Sequence, residues 1–117
     1  MLSSHLEYLI AVRMLQEAGR GAQVTKIAEH MNVSPAYAVK LSAAAEKRGY
    51  VYRNYSRSVF LTAEGEQLLD NYMKAVEKME KILLNSGADK QDIKTDAIRS
   101  VCALSEKTRA ALAKING

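Results

Sequence analysis

One cysteine, one proline, one phenylalanine and no tryptophan occur among the 117 residues. Each scarcity excludes something. A single thiol, Cys102, cannot close an internal disulfide, so the fold must hold by burial alone, as suits a reducing cytoplasm. With one Pro, six Gly and 48% apolar residues, the chain is neither collagen-like nor disordered. No apolar run reaches membrane-spanning length, so no membrane partner is expected. The opening MLSSHLEYLI carries neither a basic stretch nor a small-residue cleavage site, so no export leader is expected. The residues that catalysis needs are also missing as a group. There is no glycine-rich phosphate loop, and GRGAQ is too short to be one. His5 and His30 stand alone. Glu77 and Glu80 sit among Lys74, Lys78 and Lys81, which makes them an ordinary salt-bridged helix surface. Neither an enzyme nor a small-molecule substrate is expected.

What is present is uneven charge. The net charge is +4, and all of the excess falls before Thr62. The stretch from Lys40 to Arg57 holds Lys40, Lys47, Arg48, Arg53 and Arg57 against Glu46 alone. Clustered cations attract polyanions, and phosphate neutralisation is the main sequence-independent part of nucleic-acid affinity.

The apolar periodicity predicts mainly α structure with one small β element. Leu6, Leu9, Ile10 and Met14 follow helical spacing, with Ser3 or Ser4 as cap and Gly19 and Gly21 at the end. In TKIAEHMNVSPAYAVKLSAAAEKRGY, Thr25 reads as a cap, and Ile27, Ala28 and Met31 as one apolar face. Asn32 suits a tight turn, and Ser34–Pro35 reads as a helix start with Ser capping and Pro in the first position. Two helices joined by about three residues form a helix-turn-helix. YVYRNYSRSVFLT then reads as a two-stranded hairpin with a basic tip, which makes the whole a winged helix. From Thr62 a long helix runs to about Asn85, with a seven-residue seam of Leu69, Tyr72, Val76, Met79 and Leu83. NSGAD breaks the chain. Ile93, Ala97, Val101 and Leu104 mark a further helix, and Ser105 caps the last. The expected division is a winged helix-turn-helix over 1–61 and a helical dimerisation region over 62–117. The seam, with Ile93 and Val101, is expected to pack on a second copy of the chain.

A winged helix reads duplex DNA with the start of its second motif helix in the major groove. That assigns base edges to Ser34, Pro35, Ala36, Tyr37 and Lys40. Ala36 suits a thymine methyl and Lys40 a guanine edge. Tyr37 either meets the backbone or packs on the preceding helix. Ser42 and Lys47 are expected to look toward the backbone. Thr25 and Lys26 offer N–H groups and charge to a phosphate, and Arg53 and Arg57 suit phosphates or the minor groove. Single-stranded RNA stacking on the tyrosines of YVYRNY is the weaker account, because a helix-turn-helix precedes them. A protein-docking module is the competing function, favoured by the small number of long base-reading side chains.

The order HLEYLIAVRML, VTKIAEHMNVSPAYAVKL, GYVYRNYSRSVFLTAEGEQLL and EKILLNSGADKQDIKTDAIRSVCALSEKTRAAL resembles the diphtheria-toxin-repressor and manganese-repressor family of regulators, in the short form without an extra C-terminal domain. The resemblance implies a cytoplasmic homodimer on a pseudo-palindromic operator, controlled by Mn²⁺ or Fe²⁺. It also places the family's metal ligands at Glu7, Ile10, Val76, Ile98, Val101 and Cys102. Four of those six are aliphatic and cannot bind a hard divalent cation. The expectation is therefore a DNA-binding dimer that needs no metal cofactor, with a repressor of altered ligands that still responds to metal as the alternative.

Overall fold

The computed structural model describes residues 3–19 and 21–115. Six helices and one hairpin follow in order: α1 (Ser3–Glu17), α2 (Val24–Met31), α3 (Pro35–Lys47), β1 (Val51–Arg53), β2 (Val59–Leu61), α4 (Ala63–Asn85), α5 (Lys90–Ala103) and α6 (Glu106–Ala113). The protein is mainly α with a two-stranded antiparallel wing. The side chain of Ser3, one of the two expected α1 caps, lies outside the described residues.

The chain divides into two compact units, the first from Ser4 to Gln67 and the second from Leu68 onward. The expected boundary after Leu61 comes six residues too early. The reason is local to the start of α4. Thr62 donates its N–H to the Tyr50 carbonyl at 3.0 Å and its hydroxyl to the Gly49 carbonyl. The same oxygen caps the helix by accepting from Gly65 N–H at 3.0 Å. One turn on, Glu66 pairs with Arg13 of α1 at 3.0 Å. The first turn of α4 is thereby tied to the hairpin and to α1.

In the first unit, α1 buries Leu6, Tyr8, Leu9, Val12 and Leu15, α2 buries Ile27 and Ala28, and α3 buries Ala38, Leu41 and Ala45. The turn between α2 and α3 forms as its residues dictate. Asn32 is left-handed with φ +57° and returns its N–H to the Ala28 and Glu29 carbonyls, a conformation Asn tolerates better than most residues. Ser34 accepts the Tyr37 N–H at 3.1 Å and Pro35 follows at the first helical position. α2 begins two residues earlier than expected. Its cap is Gln23, which supplies no side-chain hydrogen bond, so Thr25 lies inside the helix. The strands pair Val51 with Leu61, Tyr52 with Phe60 and Arg53 with Val59. Tyr52 and Phe60 stack on the outer face with centroids 5.6 Å apart. An extra bridge joins Ala22 to Val59, which a single residue between two helices did not signal.

In the second unit, Gly87 ends α4 at φ +88°. Asp89 then caps α5 by accepting from Gln91 N–H at 3.0 Å. Ser105 caps α6 by accepting from Thr108 N–H at 3.2 Å. Glu80 of α4 pairs with Lys94 of α5 at 3.5 Å. The guanidinium of Arg109 on α6 lies 4.0 Å from the centre of the Tyr72 ring on α4. With α5 and α6 folded back in this way, the seam is not a free surface. Leu69, Tyr72, Val76, Ile93 and Val101, expected at an interface between copies, are buried within the chain. Met79 and Leu83 are half-buried. The large apolar side chains left open on α4 are Ile82 and Leu84, each about half exposed at 48% and 51%. A heptad stripe specifies that a helix is covered along one side, but not by which segment.

Candidate nucleic-acid interface

The exposed face of α3 follows from its buried one. Ala38, Leu41, Ser42 and Ala45 point inward, so a 3.6-residue period turns Ala36, Lys40, Ala43 and Lys47 outward, flanked by Val39 on one side and Tyr37 on the other. Val39 is 49% and Tyr37 40% exposed. Side chains that open to solvent at the start of a capped helix are the ones a groove would meet.

The wing stands beside this face. Asn54 organises its tip. The Asn54 side-chain oxygen accepts from Ser56 N–H at 3.1 Å, Ser56 O–H at 2.9 Å and Ser58 N–H at 2.9 Å. Its carbonyl accepts from Arg57 N–H at 3.0 Å, closing the turn. Arg57 sits in the left-handed region at φ +62°, where a side chain is costly and Gly is the usual occupant. Tyr55 at the tip is fully exposed. Arg53 is held toward α3 by Glu46 at 3.4 Å.

These pieces meet in one open depression of about 370 Å³, lined by Gln23, Val24, Thr25, Val39, Arg53, Ser56 and Arg57. It joins the start of α2, the flank of α3 and the wing. Thr25, Arg53 and Arg57 line it together. Lys26, Ser34, Pro35, Ala36, Tyr37, Lys40 and Lys47 are all exposed on the same unit. The uncapped start of α2 leaves Val24 and Thr25 N–H groups without intrahelical acceptors, which suits an anion.

Ser42 is a correction. It is fully buried, and its hydroxyl is 2.7 Å from the Tyr8 hydroxyl of α1. It cannot face a DNA backbone. The interior otherwise surrounding Tyr8 pushes the phenol's pKa up, with the bond to Ser42 opposing that shift in part. Sequence reasoning also missed Val39, Gln23, Val24 and Ser56. The signal for Val39 was available, since it lies three residues beyond Ala36 on the open side of the helix.

No family model matches the chain. Over 114 residues it is 28% identical to an uncharacterised HTH-type transcriptional regulator of Aeropyrum pernix, across 96% of this chain and 63% of that protein. The chain thus spans less than two thirds of that relative's length. A solved structure of a hypothetical protein from Sulfolobus solfataricus is similar with a TM-score of 0.75 at 22% identity, covering 96% of this chain and 86% of that one. The structure of the manganese regulator SloR gives 0.79 at 22% identity, over 94% of this chain and 52% of that one. The first unit is a winged helix. Its order of helices, turn and hairpin, followed by a helical region, is the architecture these structures share with it.

The winged helix contributes Glu7 and Ile10 to the positions that the family resemblance assigns to metal, and the second unit contributes the other four. Those four do not fit a divalent cation. Val76 and Val101 are fully buried aliphatic residues and Ile98 is nearly so, leaving Cys102 as the sole donor. Among the described residues, no three His, Cys, Asp or Glu side chains gather to hold an ion. No helix among them is long and apolar enough to cross a membrane.

Proposed function

We propose that the chain is a cytoplasmic DNA-binding transcription regulator of the diphtheria-toxin-repressor kind, acting as a homodimer on a pseudo-palindromic operator without a metal cofactor. The observation that carries the DNA reading is the single depression joining the α2 start, the α3 flank and a wing carrying Arg53 and Arg57. The major groove is wide enough for an α-helix, and the exposed cations Lys26, Lys40, Lys47 and Arg57 support the reading as partners for phosphate. The relative's description as an HTH-type transcriptional regulator supports the same reading. Pairing is assigned to the open part of α4, with Ile82 and Leu84 and the half-buried Met79 and Leu83, in place of the buried seam. Metal independence rests on the aliphatic side chains at three of the four ligand positions in the second unit.

The test is fluorescence anisotropy on duplex DNA at low salt, with and without Mn²⁺ or a chelator. Binding is expected in both, with a steep decline as salt rises. Lys40→Glu with Arg57→Glu abolishes it. A shift that requires Mn²⁺ defeats the metal-free part. Binding indifferent to both charge reversals defeats the DNA part.

A further inference from the structure

The face that would enter the groove is unusual in its chemistry. Over the first two and a half turns of α3, its outward positions are Pro35, Ala36, Val39, Lys40 and Ala43, with Tyr37 at the edge. Four of those first five are apolar, and Lys40 is the lone cation. Val39 is half exposed and lines the depression between α3 and the wing, with Arg53 and Arg57 beside it. The apolar surface of Ala36 and Val39 is a poor place for a guanine or adenine edge, which presents hydrogen-bonding atoms that Val and Ala cannot satisfy. It is a good place for the one apolar group the major groove displays, the C5-methyl of thymine.

We propose that Val39, with Ala36, reads thymine methyl groups in the operator, so that sequence is recognised by methyl burial more than by bidentate hydrogen bonds. This rests on the DNA reading above and names which feature of the duplex is read. Arg53 and Arg57 hold the phosphates on the wing side, which fixes how deep α3 sits. At that depth a β-branched side chain reaches a methyl that Ala alone would leave solvated. Removing one buried methyl weakens binding about three- to fivefold at the usual transfer free energy.

The experiment changes the DNA first. Duplexes are selected from a random pool, and the best binder is remade with deoxyuridine for every thymine, which deletes the methyl and keeps base pairing and the O4 acceptor. Full-chain protein is expected to bind the uracil copy at least tenfold more weakly if two or more methyls per operator are read. Val39→Ala is expected to shrink the difference between the two copies to within about threefold. Equal affinity for the thymine and uracil copies overturns the proposal, as does a selected sequence with no thymine opposite α3. Both of those outcomes leave DNA binding standing. Absence of any selected duplex at low salt instead overturns the DNA reading itself, and the methyl proposal with it.

Discussion

Ser42→Ala is the most informative single change outside the proposed groove-facing surface. Ser42 and Tyr8 lie 34 residues apart, and their hydroxyls meet at 2.7 Å in the interior. Deleting the Ser42 hydroxyl strands the phenol, which is 1% exposed, so the cost is the desolvation of an unpaired group, about 2 kcal/mol. For a chain of this size that lowers Tm by about 10 °C. Tyr8→Phe is milder, about 1 kcal/mol, because the Ser42 hydroxyl left behind can turn to a carbonyl of its own helix. The double variant replaces both partners with apolar groups and is expected to cost less than the sum, a coupling of about 1 kcal/mol. Urea denaturation of the four proteins reads this directly. Strict additivity would refute the reasoning, and so would a Ser42→Ala protein as stable as the parent. The pH arm has a definite sign. Burial raises the Tyr8 pKa above that of a free phenol, so the folded state holds this proton more tightly than the unfolded one. The stability tied to this buried proton is complete below pH about 10 and is lost as pH climbs through the raised value. The wild-type protein therefore loses more stability than Tyr8→Phe between neutral and strongly alkaline pH.

Four further outcomes follow from the same structure. Arg57→Gly relieves the positive φ and is expected to stabilise the wing by about 1 kcal/mol while weakening duplex binding; slower amide exchange at Ser58 with a reduced salt slope in anisotropy checks both halves. Arg109→Ala removes the cation stacked on Tyr72 and is expected to cost about 2 kcal/mol, seen as a lower thermal midpoint; an unchanged midpoint shows that α6 does not depend on that contact. Leu69→Ala is expected to cost about 3 kcal/mol by leaving a cavity at every protein concentration. Ile82→Asp with Leu84→Asp is expected to yield monomer in sedimentation with little loss of helix; a dimer that survives both charges relocates the interface.

Local signals were legible and distant ones were not. Ser34–Pro35 announced the start of α3 because a cap and its N–H lie within three residues of each other. The same holds for Ser105 and α6. Asn32 and Gly49 marked turns by their tolerance of positive φ. The apolar stripe of α4 was correct as a stripe, but which segment covers it depends on how α5 and α6 return, and that is a tertiary matter. Ser42 was misassigned for the same reason. A Ser on a helix flank reads as polar surface until a buried Tyr8 is known to face it. Arg109 gave no sign of burial, since its partner ring lies on a helix more than thirty residues earlier. Of the proposed DNA-facing surface, the exposed cations and the Ser34 cap are legible by residue type. The depression between α3 and the wing could not, because it exists only where a hairpin tip comes back to a helix.

The Glu46–Arg53 pair joins α3 to the wing at 3.4 Å, and it alters how the surface would behave on DNA that is not its target. Arg53 arrives already carrying a counter-ion from its own chain, so contact with a random stretch of backbone releases fewer bound salt ions than a bare arginine would. On the proposed DNA-binding role, a protein that holds random sequence less firmly leaves it sooner. Time that would be lost to the wrong sites is spent sampling new ones.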